Sequence, residues 1–129
     1  MLSPKWKSLL PAGRKPGAYD PDNRMKVAIL MTDGEYNTQY YQGVDDKYVS
    51  GTAPNSSSND QALKLCGKMK NKDIVVYTIG FELDTASAID ILEQSATDPS
   101  HHFLAENGDE LRQAFPEIAF RIAQLRLSK

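Results

Sequence analysis

Apolar and polar positions fall into blocks along this chain, and each block predicts an element. Positions 27–31, Val-Ala-Ile-Leu-Met, form an unbroken apolar run that stops at Thr32-Asp33-Gly34-Glu35. The shortness of the run, the β-branched Val27 and Ile29, and Gly34 just beyond favour a strand buried on both faces and ending in a tight loop. Ser58-Asn59-Asp60-Gln61 fits a capping box, with Ser58 as the cap and Gln61 reaching back. The helix it opens carries Ala62, Leu65, Cys66 and Met69 on one face and Lys64, Lys68 and Lys70 elsewhere, until Asn71-Lys72-Asp73 ends it. Positions 74–81, Ile-Val-Val-Tyr-Thr-Ile-Gly-Phe, predict a second buried strand. Strand, helix and strand with short joins make a βαβ unit, which crosses over right-handed.

The pattern then repeats. Asp84 or Thr85 caps a helix with Ala88, Ile89, Leu92 and Ala96 on one face, and Asp98-Pro99 stops it. Positions 101–105, His-His-Phe-Leu-Ala, predict a short third strand. Asn107-Gly108 makes a turn and Asp109 caps a last helix, whose apolar seam runs through Leu111, Phe115, Ile118, Ile122 and Leu125. Pro116 lies within it and should kink or divide it, because it lacks an N–H and crowds the carbonyl of Arg112.

Two stretches escape this regularity. Positions 1–24 hold Pro4, Pro11, Pro16 and Pro21 with Gly13 and Gly17, an irregular lead-in. A short helix over 4–10 fits there, with Ser3 as cap, Pro4 at its first position, and Trp6 and Leu10 on one face. Positions 36–57 are polar and carry Tyr36, Tyr40, Tyr41 and Tyr48 among Asn, Gln, Gly, Ser and Asp. Long loops of this kind are functional or unstructured, and Tyr among small polar residues makes adaptable protein-binding surfaces. Composition alone leaves a partner surface and an insertion without a partner equally open. Asn55-Ser56-Ser57 matches a glycosylation sequon, a pattern short enough to arise often by chance.

At 129 residues the chain suits one domain, and its 40% hydrophobic and 25% charged residues are ordinary for a globular protein. A net charge of −2 with no basic run gives no argument for nucleic acid. The single Cys66 excludes an internal disulfide and reads as a small core residue. No apolar run approaches the ~20 residues needed to span a bilayer, and the first residues have no signal-peptide pattern. As written, the sequence carries no export or membrane signal.

Candidate chemistry centres on Asp33. In a parallel sheet the ligand crevice lies beyond the carboxyl ends of the strands, where Asp33 falls. A carboxylate there can ligate a hard cation, accept backbone N–H bonds, or cap the turn. His101 and His102 suggest a metal site less well, having neither a Cys partner nor a second His pair.

With a β-α-β-α-β-α order and "ILMTDGE" closing its first strand, the chain resembles the second half of a von Willebrand factor A domain. More closely, it resembles the C-terminal part of TadG-like proteins of the Tad/Flp pilus-assembly system. The stretches "MLSPKW", "ILMTDGEYNTQY", "LCGKMKNKDIVVYTIGF", "HHFLAEN" and "LRQAFPEIAFRIAQLRLSK" carry that likeness over most of the chain. The resemblance implies an α/β, Rossmann-like von Willebrand A-type parallel sheet with flanking helices, here its C-terminal half, three strands and three helices, with residues 1–129 a partial domain. It also implies a metal-ion-dependent adhesion site for Mg²⁺, built from an Asp-x-Ser-x-Ser loop, a Thr from a middle loop, and the Asp of "TDG". Only the last is present, as Asp33, so the resemblance gives no cofactor for this chain alone and Mg²⁺ only where a longer protein supplies the other ligands. Where the resemblance leads one to expect a Cys partner for Cys66, Ser95 stands, and the pairing is not carried over.

Two readings follow. One is a non-enzymatic protein-interaction module of a TadG-like pilus-assembly protein, on the periplasmic side of an inner-membrane anchor in the bacterial cell envelope. Its partners would be other pilus-assembly or envelope proteins, its binding residues Tyr36, Tyr40, Tyr41 and Tyr48, and its metal residue Asp33. The alternative is a metal-dependent hydrolase with Asp33 as nucleophile or ligand and Glu35, Asp84 or His102 assisting. In-frame upstream DNA encoding a membrane helix and Asp-x-Ser-x-Ser would decide for the first. In that family's sheet the strand 27–31 pairs with one that this sequence does not supply. It should then be an open apolar edge that self-associates, on a marginally folded chain whose Met1 is an internal methionine or a truncated start.

Overall fold

A computed structural model describes residues 3–20, 22, 24–34 and 57–127, except the side chains of 126 and 127. Its strands β1 (Lys26–Thr32), β2 (Ile74–Phe81) and β3 (His102–Ala105) form an open, all-parallel sheet in the order β1-β2-β3. Helices α1 (Ser58–Lys70), α2 (Ala86–Ser95) and α3 (Gly108–Leu127) complete the alternating order. This is an α/β architecture compatible with a Rossmann-like fold.

Strand alternation decides what each face of the sheet holds. Tyr77 and Ile79 of β2 pack with Ala114 and Ile118 of α3, and Val27, Val75, Phe103, Leu111 and Ile122 surround them. The alternate residues Ile74, Val76, Thr78 and Gly80 point to the other face, where α1 and α2 pack. Gly80 leaves room there for the leucines around it. A Cβ on it would come within 2.6 Å of Leu83 Cδ1 and 2.9 Å of Leu104 Cδ2.

β3 pairs only with Thr78–Phe81, the upper half of β2. Below it Thr97 takes the missing strand's place: Val76 N–H donates to Thr97 Oγ1 at 2.8 Å, and Thr97 N–H donates to Val76 O at 3.0 Å. Lys70, at the end of α1, donates from Nζ to Gln94 O at 2.8 Å and Ala96 O at 2.9 Å, satisfying carbonyls at the end of α2.

Several expectations need correction. β1 is not buried on both faces, since Ile29 is 46% and Met31 53% exposed. It is the edge strand, and α3 packs over β2 and β3. The cap of α1 is Ser57, one residue earlier than Ser58. Its Oγ accepts from Asp60 N–H at 3.2 Å, and Asp60 Oδ2 accepts from Ser57 N–H at 3.3 Å. Gln61 is buried and Leu65 exposed, the reverse of the expected faces. On α2 Ile91 and Ser95 are buried while Ile89 is only partly so, and Thr85 precedes the helix without a side-chain capping bond. Asn107, not Asp109, caps α3, its Oδ1 accepting from Asp109 N–H at 3.1 Å and Glu110 N–H at 3.0 Å. The seam of α3 passes through Ala114, leaving Phe115 44% exposed, and Pro116 does not divide the helix.

The lead-in helix is a 3₁₀ helix, Pro4–Leu9, with Ser3 Oγ accepting from Lys5 N–H at 3.3 Å. At three residues per turn Trp6 aligns with Leu9 rather than Leu10, and both are exposed.

Thr97→Val keeps the shape of the side chain but strands the buried Val76 N–H, which should cost about 1–3 kcal/mol. Thermal melts should show the loss and amide exchange at Val76 should accelerate. Unchanged protection there would mean that Thr97 does not hold β2.

Candidate functional site

The turn after β1 is closed by Thr32. Its Oγ1 donates to Gly34 O at 3.0 Å and accepts from Gly34 N–H at 3.2 Å. The threonine thus performs the turn-capping role that was open to Asp33. Asp33 itself is exposed, and among the described residues its carboxylate has no hydrogen bond or ion pair.

Beyond β2 the chain turns at Glu82, whose φ of 49° lies in the left-handed region and whose N–H donates to Ala105 O at 2.9 Å. Glu82, Leu83, Asp84 and Glu106 line an open hollow of about 440 Å³. Carboxylates therefore gather at the carboxyl ends of β2 and β3, and Asp33 does not line their hollow. Among the described residues no three His, Cys, Asp or Glu side chains converge on a point where a metal ion could sit.

The two histidines lie on opposite faces of the sheet. His102 is in register with Thr78, and its Nδ1 lies 2.8 Å from Thr78 Oγ1 on the side of α1 and α2. Burial pushes its imidazole below the ordinary value, with Glu93 pulling partly back. His101 sits edge-on to Tyr77, the ring centroids 4.4 Å apart. Burial lowers it too; Asp98 opposes that and Arg121 adds to it. Tyr77 Oη, His101 Nδ1 and His102 Nε2 are sealed without partners. Arg121 Nη1 donates to Ser100 O at 2.6 Å, and its guanidinium lies 5.4 Å from the Phe103 ring. Ser100, His101, Arg121, Gln124 and Leu125 line a hollow of about 280 Å³ there. This nest was missed in the sequence, where its one signal is a Tyr in the middle of an apolar strand.

Asp84 thus lines the hollow beyond β2 without Asp33 or His102, and Glu35 lies outside the described residues, as do Tyr36, Tyr40, Tyr41, Tyr48 and the sequon's Asn55 and Ser56. Cys66 is a core residue, 3% exposed; burial pushes its thiol up, and the neighbouring Ser95 hydroxyl and the Lys70 charge pull partly the other way. Ser95 Oγ is sealed there without a well-formed hydrogen bond of its own. Among the described residues no helix is long and apolar enough to cross a membrane.

A larger groove opens at the other end of the sheet, between the lead-in and α1. Trp6, Tyr19, Leu65, Met69 and Ile74 give it an apolar wall, and it encloses about 920 Å³. The sequence does not reveal it, because the apolar spacing of α1 places Leu65 in the core.

No protein-family model, curated protein or solved structure matches the chain.

One exposed carboxylate offers Mg²⁺ too few of the oxygen ligands it requires. Calorimetry on the chain alone should show no micromolar Mg²⁺ binding; such affinity, lost on Asp33→Ala, would overturn this. The histidines make a second prediction. Both have folded values below the ordinary 6.5, so the unfolded chain binds more protons as the pH drops. Their contribution is complete above 6.5 and is lost as the pH falls from there through the lowered folded values. The melting temperature should therefore fall between pH ~7.5 and ~5, and His101→Phe and His102→Gln should each flatten that slope.

Proposed function

We propose that the chain is a non-enzymatic protein-interaction module that extends its sheet across β1 by pairing with a strand of a partner polypeptide. The observation that carries this reading is the state of β1. Among the described residues it pairs with β2 alone, and Ile29 and Met31 stand about half exposed on its α3 side. Alternate N–H and C=O groups along the strand's outer side then have no ladder partner. Nothing from Val27 to Met31 blunts the edge, for the run holds no Pro, charge or Gly. Such an edge recruits a strand through main-chain hydrogen bonds, with side-chain pockets giving specificity.

Phe115 adds to the surface. On α3 it projects to the flank opposite Arg121, because six residues of helix turn through about 600°. Arg121 faces β3 through Ser100 and Phe103, so Phe115 faces the side of β1. Exposed Ile29, Met31 and Phe115 line that side of the molecule.

The TadG-like resemblance gives this module a setting: pilus assembly at the periplasmic side of the bacterial envelope, with other envelope proteins as partners. It rests on the quoted sequence stretches. The hydrolase alternative draws less support: among the described residues Asp84 lines the hollow beyond β2 while Asp33 and His102 do not, so no acid, base and electrophile converge there.

The edge predicts its own test. In dilute solution the β1 amides that point away from β2 should exchange rapidly while those of β2 stay protected. At higher concentration light scattering should show self-association, abolished by Ile29→Lys with Met31→Lys. Uniform protection of all β1 amides in the monomer would mean that the edge is already covered and would sink the proposal.

A further inference from the structure

The apolar run of β1, residues 27–31, lies between a basic end and an acidic one. Arg24 precedes it and is exposed. Asp33 follows it, exposed and, among the described residues, without a hydrogen bond or ion pair. Alternation puts Val27, Ile29 and Met31 on the α3 face, where Val27 packs against the core and the other two stand about half exposed. The strand is thus complementary to itself: apolar along its length and opposite in charge at its ends.

We infer that the strand recruited by β1 is β1 of a second copy of the chain, paired antiparallel about a twofold axis so that two three-stranded sheets become one. This rests on the reading of β1 as a strand-recruiting edge and names the donor of the strand.

Direction follows from the charges. Parallel pairing would set Arg24 beside Arg24 and Asp33 beside Asp33, whereas antiparallel pairing brings Asp33 of each copy to the Arg24 end of the other. It is also the arrangement in which a twofold axis relates two identical edges. Register follows from the strand's length. Only one antiparallel register pairs all seven residues of β1 with all seven of its copy. In it Ile29 meets Ile29 of the second copy on the axis, Val27 meets Met31, and Lys26 meets Thr32. Odd-numbered residues then oppose odd-numbered ones, as the pleat requires of residues on one face. The half-exposed Ile29 and Met31 gain apolar cross-strand neighbours on the α3 face, which add to the main-chain bonds.

The pairing closes on itself, because each copy commits its β1 edge to the other. The edges left over are those of β3, four residues long, and so short an edge recruits poorly.

Light scattering on the full chain at rising concentration should level off at twice the chain's mass. In a mixture of isotope-labelled and unlabelled chain, filtered NOE spectra should show contacts between copies from Ile29 to Ile29 and from Val27 to Met31. Asp33→Arg sets like charges together at both ends and should weaken the dimer, on the order of three- to tenfold. Adding Arg24→Asp should restore it; both positions are exposed, and circular dichroism can confirm an unchanged fold. An assembly that grows without levelling off, contacts between copies that avoid β1, or no rescue by the second charge reversal would overturn the inference. So would a chain that stays monomeric at the highest concentration reached. If the outer β1 amides of that monomer exchange rapidly and an extended Thr-Val repeat peptide protects them, the edge still recruits a strand and only the self-pairing fails. If the β1 amides are uniformly protected in the monomer, the strand-recruiting reading fails as well.

Discussion

The fold hangs on β2 being sealed on both faces and paired on both sides. Val76, Tyr77, Thr78 and Ile79 are all fully buried, so every N–H and C=O in that stretch must find a partner inside the protein. β1 supplies partners along the whole length of one side. β3 is too short to do so on the other, and the chain meets the requirement with Thr97, which offers Val76 both an acceptor and a donor. The place of α2 follows. Its end must bring Thr97 to the sheet, and Lys70 binds the carbonyls of Gln94 and Ala96 just before that point. One buried strand thus fixes the α1–α2 pair as well as the sheet.

Among the described residues β1 has a ladder partner on one side only, and this asymmetry gives the molecule its surfaces. The α3 helix is held to β3 by Arg121, through Ser100 O and the Phe103 ring, so its apolar seam centres on Tyr77 and Ile79. Covering β1 as well would need a second helix on that face or a broader seam. Phe115 lies on the flank where a broader seam would begin and remains exposed. The sheet's edge and its uncovered apolar face are therefore one consequence of where α3 is anchored.

Order and type of elements were legible because the apolar blocks differ in period, and the strand 74–81 in particular could be nothing that leaves its side chains in water. The errors share a cause. Consecutive serines offer equivalent caps, and only the geometry of Asp60 selects Ser57 over Ser58. Asn107 and Asp109 are likewise both good caps, two positions apart. Phe115 for Ala114, and Leu65 for Gln61, were assigned to the core by size and apolarity, although a residue's direction on its helix decides burial. Of the site, the sequence located Asp33 at a strand's carboxyl end but could not see that Thr32 would do the local work of the turn. Nor could it see the groove, since Trp6, Tyr19 and Leu65 come together only after folding.

A net charge of −2 conceals a separation that bears on how this molecule meets partners. Among the described residues the hollow beyond the carboxyl ends of β2 and β3 is lined by Glu82, Asp84 and Glu106 with no Lys or Arg, and the groove at the amino ends by Lys5, Lys68 and Lys72 with no Asp or Glu. Charges so divided exert a torque on an approaching charged partner even where the net attraction is small, and thereby raise the fraction of encounters that arrive correctly oriented. At the β1 edge the main-chain hydrogen bonds accept any extended strand, and discrimination rests on the side chains that flank it.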